Sequence, residues 1–553
     1  MIINKVNKFF LYAISFLIFA LTSPLLISQP AQQHAILVII DGARYSETLG
    51  DPTGQYIPRM KQLATQSAVV DTFLNDSVTV TKRAIPAIWS GSWKTPRDTT
   101  IGGFATQYAL DPTVWEYFRK HQDQDSTNAM YILKQLSGPW LPSYHPQYGP
   151  QYWPWYIMQD SYWSDLYVWN LAKQKLSQHH PVFSIIYLAD VDGAGHSGNW
   201  QNYTRAITIA DSIVGMLWDF VQSDSVFKNR TTVFVTNDHG RHLDGVSTGF
   251  VSHGDGCWGC RRIQLLAIGS GAKKGLSSIK RKIPDIVPTI GALLNFPSPF
   301  STGTAITEIL KPIISFNNKE INFGDVPIKT SKIDSIIIYN SGGSNLNITT
   351  SSPPNLTINP ASTSIAPHTN RKLYITFTPI NSDSISPFII INHNDEHLRD
   401  SIIVSGNGIQ SISLSINKGW NLVSLPLLVE ESRIDSLFTN TTSFAFSYNA
   451  TYIQTDSLKK GIGYWLKFDS TLNFNIIGNE ILTDTIDVVA GWNLIGSVSQ
   501  PISISSIQTI PDGIISTSFY GYDKSYITVN TILPGRGYWI KVNSNGKLIL
   551  KGN

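Results

Sequence analysis

The sequence predicts an α/β domain, a mostly parallel sheet with helices on both faces, followed by a β-sandwich and further β-rich units. Three features carry that reading. From His34 to about Leu310, short apolar runs alternate with amphipathic segments, as expected of strands buried on both faces and the helices that cover them. After residue 311 helical periodicity fades and Ser, Thr, Asn, Ile and Pro dominate, with strand-like runs at 334–339, 373–377 and 388–391. Over residues 410–553, Gly419-Trp420-Asn421-Leu422 recurs as Gly491-Trp492-Asn493-Leu494, and Gly463-Tyr464-Trp465 recurs as Gly537-Tyr538-Trp539.

A chain of 553 residues has room for about three or four domains of ~100–200 residues each. With 42% apolar and 11% aromatic side chains it has material for packed cores, which excludes collagen, coiled coil and extended disorder. The 42 Lys and Arg nearly balance the 39 Asp and Glu, so no nucleic-acid binding patch is expected and partners must be argued from a site. The expected division is 1–28, 33–311, 312–409 and 410–553, the last holding two β-rich repeats.

Lys5 and Lys8 precede an apolar run over residues 9–26, interrupted by Pro24, and polar Gln29, Gln32 and Gln33 follow. That order reads as a signal peptide or N-terminal anchor over 1–28, and an exported protein: periplasmic, cell-surface or secreted. No later stretch of about 18 apolar residues is present, so the remainder is expected to be soluble.

Strands are expected at 35–40, 182–188, 232–235 and 264–268, and in such a sheet ligands bind at the carboxyl ends of the strands. Asp41 ends the first of them. Asp192-Gly-Ala-Gly-His196 follows the second in what reads as a Gly-rich loop, Asp238-His239-Gly240 follows the third, and His253-Gly254 lies in another Gly-rich loop. Singly, Asp41 and Asp238 read as turn or helix-cap residues, and His196 and His253 as surface histidines. Together, three Asp and three His form a mixed carboxylate and imidazole set suited to zinc, and numerous enough for two divalent metal ions.

Such a site needs an attacking group, and the segment from Ser77 through Val78, Thr79, Val80 and Thr81 offers one. A short helix over 82–90, stopped by Gly91, places Thr81 at a helix N-terminus, where backbone N–H groups face a phosphate. A metal there turns the hydroxyl into a nucleophile. The plain alternative for Thr81 is an N-cap, and Thr79, on the same side of an extended segment, is its rival.

Taken in order, these residues resemble the alkaline phosphatase superfamily, most closely its nucleotide pyrophosphatase/phosphodiesterase-like branch. The resemblance covers 34–311 and includes Gly91 ten residues after Thr81, the Asp192/His196 spacing, and Asp285-Ile-Val-Pro288-Thr289 with Leu293-Leu294 near the domain's end. It implies an alkaline phosphatase-like fold, one zinc held by Asp41, Thr81, Asp238 and His239, and a second held by Asp192, His196 and His253. It further implies that Thr81 forms a phospho-enzyme intermediate which water cleaves. The implied activity is phosphodiester hydrolysis, on a phosphate-ester small molecule or a glycan or nucleotide substrate. The alternatives are a phosphomonoesterase and a catalytically inactive surface binding or adhesion protein. Sulfatases share the spacing but carry Cys or Ser at the nucleophile position for conversion to formylglycine, which threonine cannot supply.

Four further features bear on the rest of the chain. Phe323-Gly-Asp325-Val326, Asn340-Ser-Gly342, Ile375-Thr-Phe-Thr-Pro379 and Ser405-Gly-Asn-Gly408 resemble the immunoglobulin-like family found in abnormal-spindle and related bacterial surface proteins. Trp140, Trp153, Trp155, Trp163 and Trp169, interleaved with tyrosines, mark an aromatic-rich insertion at about 138–170, whose rings either wall the site or pack their own core. Cys257 and Cys260 read as a small disulfide loop in an exported protein; as half of a thiol metal site they lack visible partners in the sequence. The Trp and Tyr of the two C-terminal repeats either fill two small cores or stack on sugars, which would attach the protein to the cell surface.

Overall fold

In the computed structural model of the protein, which describes residues 32–101, 103–134, 140–159, 164–382 and 384–552, every residue of strand β1 (His34–Ile40) is buried. The expected signal or anchor segment, 1–28, lies outside the described residues. Among the described residues, no helix is long and apolar enough to cross a membrane.

The strands that follow are β2 (Ala68–Val70), β3 (Ala129–Lys134), β4 (Trp155–Gln159), β5 (Phe183–Leu188), β6 (Thr231–Thr236), β7 (Leu265–Gly269) and β8 (Gly275–Ser277). They form one eight-stranded sheet in the order β8-β2-β7-β6-β1-β5-β3-β4. The helices are α1 (Pro58–Ala64), α2 (Thr81–Ser90), α3 (Val114–His121), α4 (Asp165–His179), α5 (Asp190–His196), α6 (Trp200–Ser223), α7 (Trp258–Arg261) and α8 (Ile286–Leu294). Alternate residues of β1 feed two cores. Ala35, Leu37 and Ile39 pack with α2, α3 and α8 on one face. Ile36, Val38 and Ile40 pack with α1, α4 and α6 on the other. Burying each large aliphatic side chain this way contributes about 1.5–3 kcal/mol, which is why an unbroken apolar run and not an alternating one specifies the strand.

The sheet is mostly parallel, as the alternating pattern predicts; β7 is the exception, antiparallel to both β6 and β2. The reason is in the connection. Residues 237–264 return without a crossover helix along the sheet and stay near the end where β6 stops, so the next strand has to run back. Central β1 pairs in parallel with β5 and β6, with Ile40 opposite Leu188 and Ile39 opposite Thr236. Their carboxyl ends therefore lie side by side, and whatever follows each strand shares one edge.

One local expectation is corrected. Residues 190–196 are a helix, α5, and not a loop. Gly193 and Gly195 each cost about 1 kcal/mol of helix propensity. Buried Val191 and the packing of Gly195 against Arg241 offset that cost, and the four-residue spacing of Asp192 and His196 is one helical turn.

Several of the described aromatic residues of 138–170 serve the domain's own packing, whereas Tyr144 and Tyr167 are exposed; Trp163 lies outside the described residues. Trp140 and Tyr156 pack against the first core, Trp155 lies in edge strand β4 and against the second core, and Trp169 is buried in α4. Buried Glu116 anchors this stretch, accepting hydrogen bonds from Thr113 N (2.7 Å), Ser143 Oγ (2.6 Å) and Gly149 N (2.9 Å).

Among the described residues beyond 311 the structure is mostly β, with one short α-helix at Ile434–Leu437. Strands Lys332–Asn340 and Thr369–Phe377 pair antiparallel, and together with Glu320–Pro327, Phe388–His393 and Arg399–Ile416 they enclose a core of Phe323, Ile338, Ile375, Phe377 and Ile391. The two C-terminal motif sets adopt the same pairing. Gly419–Ser424 pairs with Gly463–Phe468, and Gly491–Ile495 pairs with Tyr538–Val542. In each, the Asn of Gly-Trp-Asn-Leu closes a backbone turn, Asn421 Nδ2 donating to Asn417 O (2.7 Å) and Asn493 Nδ2 to Val489 O (2.8 Å).

The repeated aromatics divide between two roles. Tyr464 and Tyr538 are core residues, whereas Trp420 and Trp492 are each 41% exposed. Rings from both copies, among them the buried Trp539, line two clefts. One, about 490 Å³, is formed by Trp420, Phe446, Tyr452, Trp465, Tyr522 and Tyr526. The other, about 460 Å³, is formed by Trp492, Tyr520, Tyr526, Trp539, Tyr448 and Tyr452. Exchanging the two motif copies converts one lining into the other, so the clefts are related by an approximate two-fold.

Candidate metal and active site

Asp41, at the end of β1, is almost wholly buried, and its neighbour Gly42 has φ +68°, which turns the chain sharply across the strand ends. A side chain at Gly42 would meet Asp192 Oδ1 at 2.6 Å, so this turn allows the ends of β1 and β5 to approach. Its backbone N–H donates to Asp238 Oδ1 (3.1 Å), tying the third strand end to the first. Gly240 is needed for a similar reason: a Cβ there would lie 2.0 Å from the Gly259 carbonyl oxygen.

The structure brings all seven sequence-predicted residues into one neighbourhood. Thr81 opens α2, with Val80 as the extended N-cap residue and Gly91 as the left-handed C-cap. Its hydroxyl does not cap the helix; Oγ1 lies 3.1 Å from His239 Nε2 and 3.4 Å from Asp41 Oδ1. His239 Nε2 is also 3.5 Å from Asp41 Oδ1 and 3.4 Å from Asp238 Oδ2. A second group adjoins it: Asp192 Oδ1 lies 3.4 Å from His253 Nε2, Asp192 Oδ2 3.4 Å from His196 Nε2, and the two histidine Nε2 atoms 3.2 Å apart. The His239 and His253 rings stack at 3.8 Å and join the two groups. The rival Thr79 is fully buried with an unpartnered hydroxyl.

The tautomers follow from backbone carbonyls, which only accept. His239 Nδ1 donates to Gly240 O (3.0 Å) and His253 Nδ1 to Thr79 O (2.8 Å). Each imidazole thus turns its Nε2 toward carboxylate oxygens. Ring nitrogens and carboxylate oxygens facing one another at 3.2–3.5 Å need a proton or a cation between them. Ligands about 2.0–2.1 Å from a tetrahedral zinc are ~3.3–3.4 Å from one another, so the spacing fits that ion. Asp238 Oδ2, fully buried, has no hydrogen-bond partner, an unsatisfied atom of the kind a cation would satisfy. Two carboxylate and imidazole groupings, Asp41/Asp238/His239 and Asp192/His239/His253, each have the compactness to hold an ion.

The electrostatics agree. Burial, then the charges of Asp238 and Asp192, push the Asp41 carboxyl well above the usual carboxylate range. Burial opposes charge on Asp192 as well, but hydrogen bonding to His253 and the Arg241 guanidinium hold its carboxyl well below that range. The same contact raises the His253 imidazole against the opposing effect of burial. His239, wholly buried, is lowered.

Three positioning residues escape a reading of the sequence. Arg241, wholly buried, donates from Nη2 to Asp192 O (2.7 Å) and to Asp192 Oδ1, and from Nε to Gly42 O (3.1 Å), locking two strand ends together. Tyr187 on β5 donates its hydroxyl to Asp41 Oδ2. Asn75 Nδ2 bridges Asp238 O (2.9 Å) and Val78 O (3.0 Å), fixing the nucleophile segment to the third strand end. Arg241 stands two residues after His239, the one sequence signal available for any of them.

No curated protein matches the chain. Among solved structures it is similar to murine ectonucleotide pyrophosphatase/phosphodiesterase 5, at 13% identity over 50% of this chain and 100% of that one, with a TM-score of 0.39. It is also similar to a protein in the alkaline phosphatase superfamily from Vibrio parahaemolyticus, at 12% identity over 58% and 77%, TM-score 0.36. A third similarity is to the ASH/PapD-like domain of human CEP192, at 16% identity over 18% and 87%, TM-score 0.17. Residues 312–407 match the family model described as HYDIN/CFA65/VesB-like, Ig-like domain. Residues 162–253, the stretch that carries Asp192, His196, Asp238, His239 and His253, match the model described as Metalloenzyme superfamily.

Proposed function

We propose that the protein is an exported, metal-dependent phosphodiesterase that uses Thr81 as nucleophile and two zinc ions. The observation that carries this reading is the convergence of a hydroxyl, three carboxylates and three imidazoles at one sheet edge, with neighbouring ligand atoms 3.1–3.5 Å apart. Asp41, Asp238 and His239, with Thr81, would hold one ion; Asp192, His196 and His253 would hold the other. Bound zinc would offset the carboxylate charge, polarise a phosphoryl oxygen and lower the pKa of the Thr81 hydroxyl.

The residues of the chain supply the rest. Asp41 and His239 hold Thr81 Oγ1 at the start of α2, a helix N-terminus of the kind that suits phosphoryl oxygens. Attack forms an Oγ1–P bond as the P–O bond to the leaving alcohol breaks, the hydroxyl proton going to solvent and the leaving oxygen taking one up. Water then cleaves Oγ1–P, which restores the Thr81 hydroxyl and releases the phosphate product. His196, half exposed beside partly buried His253, marks the open side through which substrate would enter.

Purified protein is expected to hydrolyse a phosphodiester of a chromogenic alcohol faster than the corresponding phosphomonoester, with no turnover of the sulfate ester and complete loss of activity on chelation. Preference for the monoester would move the assignment to phosphatase. Absence of turnover by a zinc-loaded protein would support the surface-binding alternative instead.

The attachment role of the C-terminal units is proposed on the paired aromatic clefts. Their linings contain no charged residue and offer ring faces with hydroxyl and indole N–H edges, which suits the apolar face and hydroxyl rim of a pyranose. Trp465→Ala with Trp539→Ala should lower retention on an insoluble cell-wall glycan by tenfold or more, by about 1.4 kcal/mol or more in binding. Unchanged retention on glycan that the parent protein binds would remove the clefts from that role.

A further inference from the structure

The segment between β6 and β7 gathers a second kind of ligand set that includes none of the seven residues around Thr81. One donor atom each from His242, Asp255, Cys257 and Cys260 lies within 4.8 Å of the others. We propose that these four residues form a structural zinc site that clamps the loop carrying His239 and His253.

The spacing is that of a tetrahedral site. Cys257 Sγ and Cys260 Sγ are 3.4 Å apart, and both thiols are free. His242 Nε2 and Asp255 Oδ1 are 3.3 Å apart. Around a tetrahedral zinc, with sulfur at about 2.3 Å and nitrogen or oxygen at about 2.0–2.1 Å, the corresponding edges are ~3.7 and ~3.3 Å. His242 adds an independent observation. It is only 4% exposed, and its Nε2 is buried without a hydrogen-bond partner while facing Asp255. An imidazole nitrogen so placed is left unsatisfied unless something else in the loop takes its lone pair.

The chemistry selects the ion. Two thiols with an imidazole and a carboxylate form a borderline-soft set, which suits zinc and not magnesium or calcium. On binding, the two thiols lose their protons to solvent and coordinate as thiolates. Cys257 and Cys260 lie at the start and within α7, a turn of helix too short to persist without an external tie.

The consequence for the neighbouring site is mechanical. Gly240 N donates to Cys260 O (2.8 Å) and His242 N to Ser252 O (3.2 Å), so the strands of this loop already touch at both levels. His239 is three residues before His242, and His253 two before Asp255. A cation joining His242, Asp255, Cys257 and Cys260 would therefore fix the two segments whose rings stack at 3.8 Å.

Cobalt substitution tests this on the full chain. Reduced protein titrated with Co²⁺ is expected to develop a sulfur-to-cobalt charge-transfer band in the near ultraviolet, saturating at one equivalent of thiolate-bound metal and bleached by Zn²⁺. The groups around Thr81 include no sulfur and cannot produce that band, so its appearance is independent of whether the protein hydrolyses esters. Cys257→Ser with Cys260→Ser should abolish the band. His242→Ala should weaken zinc binding by more than the ~10–100-fold typical of losing an outer-shell partner. Should a variant misfold, the unaltered protein still decides: zinc should protect both thiols from an alkylating reagent and a chelator should expose them. Absence of the band in reduced protein, or thiols that zinc leaves fully reactive, would overturn the proposal, as would a mass two hydrogens lighter that persists through zinc loading and marks a disulfide.

Discussion

Thr81→Ala should lower ester hydrolysis by about 10³-fold or more while leaving fold and zinc content nearly intact. On this reading the hydroxyl forms the bond to phosphorus, and it makes no helix-capping bond whose loss would unravel α2. Alanine is the best helix former, so the first turn of α2 should tolerate it. Thr79→Ala is the informative comparison. The Thr79 carbonyl, which receives the His253 Nδ1–H, is unaffected by the substitution, and its buried hydroxyl has no partner to lose. Activity should therefore stay within severalfold of the parent. The reverse pattern, with Thr79→Ala inactive and Thr81→Ala active, would transfer the nucleophile to Thr79. A radiolabelled phosphoryl group trapped on the parent chain and absent from Thr81→Ala would establish the covalent step directly.

Asp238→Asn should have opposite effects on two readouts. Turnover and zinc content should fall, with activity down by about 10³-fold, because the amide keeps the shape of the side chain but replaces an anionic ligand oxygen. Stability of the metal-free protein should rise. In that state Asp238 stands fully buried beside Asp41, and Asp41 is already driven toward its neutral form by burial and by the charge of Asp238. Removing one of two like charges from a buried site relieves that repulsion. The bonds that Oδ1 accepts from Gly42 N (3.1 Å) and His239 N (2.8 Å) can pass to the amide oxygen. Thermal unfolding after chelation, set beside metal analysis and steady-state turnover, reads both effects. A variant with parental zinc content and turnover would remove Asp238 from the ligand set.

The fold class was legible because strand burial is written in composition. A run such as 35–40, apolar at every position, has to be covered on both faces, and the chain supplies amphipathic helices between such runs to cover it. The candidate residues were legible for a related reason: Asp41 directly follows an unbroken apolar run and Asp238 comes just after the strand-like Thr231–Thr236, which assigns them to strand ends without any knowledge of contacts. The C-terminal motifs were legible as two copies, yet the division of their aromatics between core and cleft was not. Alternation along a strand separates Tyr464 from Trp465 onto opposite faces, and which face is covered depends on the partner copy.

What the sequence by itself determined, then, was the alternation of buried strands and covering helices, and the chemical types placed at the strand ends. Tertiary structure alone decided which of those types meet. Arg241 is one arginine among many until its guanidinium is seen to span Asp192 and Gly42. Residues 190–196 read as a loop because glycine disfavours helix locally, and became a helix because packing against Arg241 and burial of Val191 outweigh about 1 kcal/mol per glycine. Cys257 and Cys260 lacked partners in the sequence, and found His242 and Asp255 only where the loop folds back on itself. Periodicity is a property of neighbours along the chain, whereas a ligand set depends on distances between segments that only the packed core brings together.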